Sequence, residues 1–200
     1  MKKTVLLMLC MAVSISVLAQ KQKITSGDLN FLSGQKNFNV EFDYSNLKLL
    51  KDNLPEAEYI ENRSNELNEK SDGNGDTWRQ KWESAKSGIW ETKFMESLRK
   101  GTNKKGATFK QGLEDAKYTL VVDVVWIYPG WDAAVMKQPA KVTTVLRFVE
   151  TDNRDNVLVE VSSKDAPGDQ WGNNFSNESR IGEGFAKTAK TFAGLIAKKL

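Results

Sequence analysis

Four runs of the chain have the hydrophobic pattern of β-strands. Residues 38–44 alternate apolar and polar side chains, which predicts a strand with one buried and one solvated face. Residues 118–128, YTLVVDVVWIY, are apolar at both alternating positions, so we predict a central strand covered on both faces. Two more strands are predicted at residues 141–150 and 157–163. The polar residues 20–36 are predicted to form a loose lead-in.

Helical periodicity follows the first strand. Residues 55–70 carry a thin apolar stripe, and Pro55 suits the first helical position. The turn SDGNGD at residues 71–76 leads into a long helix over residues 77–100, and Asp76 is placed to cap its first amides.

Two apolar stripes lie along this long helix: Trp78, Trp82, Ala85 and Ile89 form the first, and Trp90, Phe94 and Leu98 form the second. The second stripe lies more than about a third of a turn around the axis from the first. Either the helix breaks near Ser87 and Gly88, or it is covered on two sides.

The closing helix is predicted over residues 178–200, capped by Asn177 or Ser176. Its predicted buried stripe is Ile181, Phe185, Ala189, Phe192, Ile196 and Leu200. Four small residues should let it lie close to a sheet: Gly182, Ala186, Ala193 and Ala197.

These elements predict a single α+β domain over residues 37–200, with a mostly antiparallel sheet of about four strands and long helices packed on it. Asp123 and Arg147 are the lone charges inside neighbouring strands. A register that sets them directly opposite would form a structural ion pair. The alternative is an active-site carboxylate held by an arginine.

The first nineteen residues have the order of a secretory signal peptide. Lys2 and Lys3 precede an apolar run, and Val17-Leu18-Ala19 forms a V-x-A cleavage site before Gln20. We therefore predict a periplasmic or secreted protein. The run is shorter than the about 20 residues of a membrane span, so no transmembrane segment is expected in the mature chain.

Composition excludes several chemistries. The one cysteine, Cys10, lies in the signal, and the preceding residues lack the small residue of a lipoprotein signal. The sequence has no histidine. The mature chain therefore has no disulfide, no Ser-His-Asp or Cys-His catalytic system, and no zinc site of the usual type.

Charge is unevenly distributed. Residues 41–76 carry a net charge of −6 and residues 77–117 a net charge of +5. One interpretation is that two solvated faces complement each other across the fold. The other is a basic patch for an acidic partner, made of Arg99, Lys100, Lys104, Lys105 and Lys110. Export makes nucleic acid an unexpected partner.

The segment from residue 72 to residue 83 resembles an EF-hand calcium loop. Asp72, Asn74, Asp76 and Glu83 occupy the first, third, fifth and twelfth places, where calcium finds oxygen ligands. Thr77 stands where the sharp turn favours glycine. A polar turn that caps a helix is the alternative to calcium binding, and no other cofactor is expected.

Six tryptophans are present. Four lie on periodic apolar faces and are predicted to be core: Trp78, Trp82, Trp90 and Trp126. Two lie in predicted loops beside polar residues, an arrangement that suits stacking on a sugar ring; these candidate ligand-binding residues are Trp131, Asp132, Trp171, Asn173 and Asn174. The alternative is that each loop indole folds back over an end of the core.

The second half of the chain is similar to small exported proteins of unknown function from Gram-negative bacteria, and to sheet-plus-helix domains of cell-envelope proteins. The similarity rests on YTLVVDVVWIYPGW, the two following strands and the helix GFAKTAKTFAGLIAKKL. It implies a fold and transfers no site residue.

Three functions remain open. The first is a non-enzymatic exported domain that binds another cell-envelope component. The second is a glycan-binding module that uses Trp131 and Trp171. The third is a carboxylate-based hydrolase, which requires two acidic residues in one cleft. The sequence contains no G-x-S-x-G, phosphate-loop or dinucleotide-binding motif, so we predict no catalytic residue.

Overall fold

The computed structural model describes residues 22–133, 136–168 and 176–200. Its strands are β1 (Gln22–Gly27), β2 (Asn37–Asp43), β3 (Lys48–Leu49), β4 (Leu54–Pro55), β5 (Thr108–Lys110), β6 (Tyr118–Tyr128), β7 (Trp131–Asp132), β8 (Lys137–Gln138), β9 (Ala140–Glu150) and β10 (Val157–Gly168). Its helices are α1 (Glu56–Lys70), α2 (Asn74–Ala85), a π-helical segment (Lys86–Glu91), α3 (Thr92–Thr102) and α4 (Asn177–Ile196), with short 3₁₀ turns at Asn30–Leu32 and Asn103–Lys105.

The α+β class agrees with the structure, but the predicted sheet is wrong. The sheet has eight strands and is mixed, with the order β1-β10-β9-β6-β2-β5, while β3 pairs with β4 and β6. Strand β2 runs parallel to both β5 and β6. Parallel strands need a long crossover, and the chain between β2 and β6 supplies it by passing through α1, α2 and α3.

The extra strands carry little hydrophobic pattern. Strands β3, β4 and β5 have only two or three residues each. Strand β1 is polar and mostly exposed, and its residues lie within the predicted loose lead-in. The structure shows instead that β1 pairs with β10 at the edge of the sheet. Backbone hydrogen bonding at an edge does not require an apolar side-chain pattern, so periodicity could not find it.

A π-helical segment explains the two apolar stripes of the predicted long helix. The chain stays helical from α2 through the π segment into α3. Extra residues per turn rotate the apolar face at this point. The side chains of Trp82 and Trp90 consequently both reach the core, with no solvent exposure and ring centroids 5.0 Å apart.

The helices cover one face of the sheet. Core side chains of β6 at Leu120, Val122 and Val124 point toward them and are fully buried. Val121 and Val125 alternate with these residues and remain partly exposed outside the core cluster. The predicted cover of both faces is therefore wrong at Val121 and Val125, although Thr119 and Asp123 on the same face are buried.

Helices α3 and α4 pack side by side in the same direction. Gly182 of α4 lies against Ile89 and Lys93, and eleven residues later Ala193 lies against Gly101. A Cβ on Gly101 would come within 2.4 Å of the Ala193 Cβ, so the two helices meet at small residues. Because the contacts advance together along both helices, their C-termini lie at the same end of the molecule.

Candidate functional site

A short hairpin extends the chain beyond the end of β6. Trp131 pairs with Gln138, and Asp132 pairs with Lys137. Gly130 starts the hairpin with φ +69°, and a Cβ there would lie 2.4 Å from the carbonyl oxygen of Gln138. Only glycine combines this backbone conformation with so close an approach. We call Tyr128, Trp131, Asp132 and residues 136–138 the aromatic hairpin.

The aromatic hairpin holds an indole at the surface. The Trp131 Nε1 donates to Gln138 Oε1 at 3.1 Å, and the Tyr128 hydroxyl donates to the same oxygen at 3.0 Å. Trp131 is nevertheless 40% exposed, and Met136 on the same hairpin is 65% exposed. Two of the four exposed large hydrophobic side chains among the described residues therefore lie on this hairpin.

A stacked pair of rings supports the hairpin. Tyr128 stacks on Trp126 with centroids 6.3 Å apart and ring planes within 13°. The Trp126 Nε1 donates to the carbonyl oxygen of Leu50 at 2.8 Å. Trp126 is half-buried and lies outside the core cluster, so its predicted core position is wrong, whereas those of Trp82 and Trp90 are confirmed.

Two of the five predicted ligand-binding residues are placed by the structure. Trp131 and Asp132 lie on β7, exposed and half-buried respectively. Trp171, Asn173 and Asn174 lie outside the described residues, so their relation to the hairpin stays a prediction. Gln138 and Met136 had no recognisable signal in the sequence, because β7 and β8 have two residues each and show no periodicity.

The residues of the predicted calcium loop are mostly helical. Helix α2 starts at Asn74 after Gly73, which has φ +78°, and Asp76 lies in the first turn without capping it through its side chain. Asn74 and Glu83 are nine residues apart on α2, which places them about 13 Å apart along the axis. Glu83 contacts Lys86 at 3.2 Å. In the described parts of the chain, no three His, Cys, Asp or Glu residues form a metal-binding group.

The sheet face opposite the helices, which we call the open face, carries a row of charges. Glu41, Val121, Arg147 and Glu160 are register neighbours on β2, β6, β9 and β10. Arg147 donates from Nε to Glu160 at 3.0 Å. Glu41 in turn receives two hydrogen bonds from Arg154, at 2.7 and 3.0 Å.

Asp123 and Arg147 form the predicted ion pair, but in a different register. Arg147 lies opposite Val121, and Asp123 lies opposite Val145. The pair is therefore diagonal, with Arg147 Nη2 3.1 Å from Asp123 Oδ2. Diagonal neighbours remain within reach of a long side chain such as arginine.

Burial dominates the electrostatics of Asp123, whereas the desolvation of Arg147 is outweighed by the acidic neighbours Glu160 and Asp123, which raise the pKa of Arg147. Desolvation raises the Asp123 pKa although Arg147 opposes the shift, and the nearby charge of Asp43 adds to it. Asp43 is the register neighbour of Asp123 on β2. Hydrogen bonds from Thr25 and then Arg147 lower the pKa of Glu160. The Asp123 Oδ1 atom is buried without a hydrogen-bond partner.

A shallow depression of about 540 Å³ lies on the open face. Its lining residues are Glu41, Val121, Arg147, Val149, Arg154, Asp155 and Val157. Arg154 binds Glu41, one of the two acidic residues in this lining. The hydrolase hypothesis requires two acidic residues that are free for chemistry in one cleft. This depression does not favour that hypothesis, which stays a prediction.

Among the described helices, none has the length and apolar character needed to cross a membrane. No protein-family model and no curated protein sequence matches the chain. Among solved structures, the PelC dodecamer from Paraburkholderia phytofirmans is 16% identical with a TM-score of 0.41, covering 86% of this chain and 97% of that one. A single-substitution variant of that PelC is 14% identical with a TM-score of 0.42, covering 86% and 96%. We draw no function from this likeness.

Proposed function

We propose that this protein is an exported, non-enzymatic domain that binds another cell-envelope component through the aromatic hairpin. The proposal of export rests on the signal-like residues 1–19. The observation that carries the proposal of binding is the exposure of Trp131 on a hairpin supported by stacked rings.

The energetics of burial favour a partner for this surface. Large exposed aromatic side chains dominate binding energy when a partner covers them, and tryptophan is enriched among such residues. The bond to Gln138 restrains the Trp131 ring before binding, which reduces the entropy lost in the complex. We expect Trp131→Ala to weaken binding about 30-fold or more, the equivalent of about 2 kcal/mol.

Photo-crosslinking in the producing cell tests this proposal. A photoreactive amino acid replaces the exposed Met136, and the matched control carries it at exposed Glu61 on α1. We expect an adduct of discrete mass from position 136, its loss when Trp131→Ala is added, and none from position 61. Equal adducts at both positions, or none at either, would refute binding through the hairpin.

Glycan binding is a second candidate. The exposed indole of Trp131 lies beside the polar side chains of Asp132 and Gln138. This arrangement suits a sugar, whose ring would stack on the indole and whose hydroxyls would bond the polar side chains. A glycan array should show saturable binding that is lost in the Trp131→Ala, Trp171→Ala double mutant. Silence on the array would favour a protein partner instead.

Export is tested on the native protein. We expect the protein recovered from the cell envelope or the medium to begin at Gln20, as measured by intact mass. A protein that keeps Met1 and remains in the cytoplasm would contradict the proposal.

A further inference from the structure

The structure tests whether the acidic and basic stretches of the sequence neutralise each other. Lys86 and Glu56 join the two stretches with a contact of 2.9 Å. The five residues of the predicted basic patch, by contrast, form no salt bridge with any acidic side chain in the described residues: Arg99, Lys100, Lys104, Lys105 and Lys110. Direct ion pairs among the described residues therefore do not account for this patch.

The packing of α3 and α4 adds cations from a distant part of the sequence. Because both helices end at the same end of the molecule, Lys198 and Lys199 lie at the end that carries the C-terminus of α3. We call Arg99, Lys100, Lys104, Lys105, Lys198 and Lys199 the basic end, and all six are exposed. The acidic residues of this end are exposed Glu96, one turn before Lys100, exposed Asp28, which accepts a hydrogen bond from the backbone of Asn30, and exposed Glu114 and Asp115, just before β6.

Helix dipoles explain only part of this arrangement. A cation in the last turn of a helix interacts favourably with the carbonyl end, which accounts for Arg99 and Lys100. The effect decreases beyond that turn, whereas Lys104 and Lys105 follow in the next 3₁₀ turn. No acidic residue lies between Arg99 and Lys105 in the sequence, so the four cations of this segment repel one another, and an anionic partner would relieve that repulsion.

The composition of the basic end indicates the kind of partner. Protein interfaces are depleted in lysine and enriched in aromatic residues, but this surface has five lysines and one arginine. The exposed large hydrophobic residues of the described chain, Ile24, Trp131, Met136 and Val157, are not among them. Clustered lysines without apolar anchors are typical of proteins that associate with anionic lipid headgroups.

We propose that the basic end binds the surface of a membrane that contains anionic phospholipid. Lys199 donates a hydrogen bond to Asn30, and Phe31, the next residue, packs on Tyr118 at the start of β6. The basic end therefore lies near the beginning of β6. The aromatic hairpin follows the other end of β6, ten residues or about 33 Å away. A protein bound by its basic end therefore presents the hairpin away from the lipid.

Vesicle co-sedimentation tests the proposal. Vesicles contain either phosphatidylcholine alone or phosphatidylcholine with phosphatidylglycerol. We expect binding only to the anionic vesicles, with an affinity that falls as salt is raised. Each basic residue near such a surface contributes about fivefold, so Lys100→Glu, Lys104→Glu, Lys105→Glu should weaken binding by more than about 100-fold.

A matched triple variant controls for net charge. Lys48→Glu, Lys51→Glu and Lys81→Glu change three other exposed lysines by the same amount, and none of them forms a described ion pair. We expect this control to bind within a few-fold of the original protein. Equal losses in both variants would show a dependence on total charge and overturn the proposal.

Two further arms keep the result interpretable. Circular dichroism checks that the variants fold. If the triple variant does not fold, the double variant Lys104→Gln, Lys105→Gln replaces it. Unchanged vesicle binding by a folded variant would overturn the proposal. Inorganic phosphate should compete no better than sodium chloride of equal ionic strength, and stronger competition would indicate a discrete phosphate site instead. Trp131→Ala should bind vesicles normally, so failure of the hairpin proposal leaves this one standing.

Discussion

The contact between Gly101 and Ala193 determines how α3 lies on α4. Gly101→Ala should raise helix propensity by about 1 kcal/mol, since alanine is the better helix former. Its new methyl group would lie 2.4 Å from the Ala193 Cβ, which no packed pair of carbons tolerates. Overpacking of this kind costs about 1–3 kcal/mol. We therefore expect Gly101→Ala to lower the free energy of unfolding by up to about 2 kcal/mol.

Removal of the opposing methyl should reverse that effect. Ala193→Gly alone should cost about 1.8 kcal/mol, from helix propensity and the loss of a buried methyl group. In that background, Gly101→Ala gains propensity and fills the vacated space, so it should stabilise the protein by about 1–2 kcal/mol. The coupling energy of the double-mutant cycle should then be about 1–4 kcal/mol and favourable.

Urea denaturation of the four proteins, followed by tryptophan fluorescence and circular dichroism, measures this coupling. Equal slopes in urea are required, so that midpoints can be compared as stabilities. A Gly101→Ala substitution that stabilises both backgrounds equally would refute the close parallel packing of α3 and α4, and with it the common position of their C-termini.

Three other predictions concern the core, the open face and the predicted calcium loop. Phe192→Ala should lower the free energy of unfolding by about 3–5 kcal/mol in urea, because this ring is fully buried and stacks on Phe148 at 5.9 Å; a loss below about 1 kcal/mol would contradict the packing. Because the folded-state pKa of Asp123 is raised above 3.8, the folded chain binds the carboxyl proton more tightly than the unfolded chain does. Stability therefore decreases as the pH rises from 3.8 through the folded-state pKa and Asp123 ionises. Asp123→Asn should therefore gain stability relative to the original protein between acidic and neutral pH, and a constant difference in urea midpoints would contradict the shift. Millimolar calcium or EDTA should leave the thermal midpoint unchanged because α2 separates Asn74 from Glu83, whereas a calcium-dependent rise would contradict this arrangement.

Long periodic elements were predictable from the residues. Strand β6 occupies residues 118–128 as predicted, and Ser176, one of two predicted caps, accepts a hydrogen bond from the backbone of Ser179. The site was predictable only in part. Trp131 stood out as a loop indole, but its exposure depends on Gln138, which β-pairing brings back from seven residues later.

Local periodicity by itself determined the core-facing residues of α4, because burial selects apolar side chains at every third and fourth position, and it located the long strands, although β6 is apolar at both alternating positions and its core face could not be read from the pattern. Only the tertiary structure decided that β2 pairs in parallel, that the π segment turns Trp90 inward, and that α3 and α4 end together. The π segment appeared in the sequence as two displaced apolar stripes, and the structure decided between their two explanations. The strand pairing and the helix packing depend on contacts between residues far apart in the chain, and such contacts leave no period in the sequence. For the same reason, the charges of residues 99–105 and 198–199 could be counted from the sequence, while their meeting at one end required the fold.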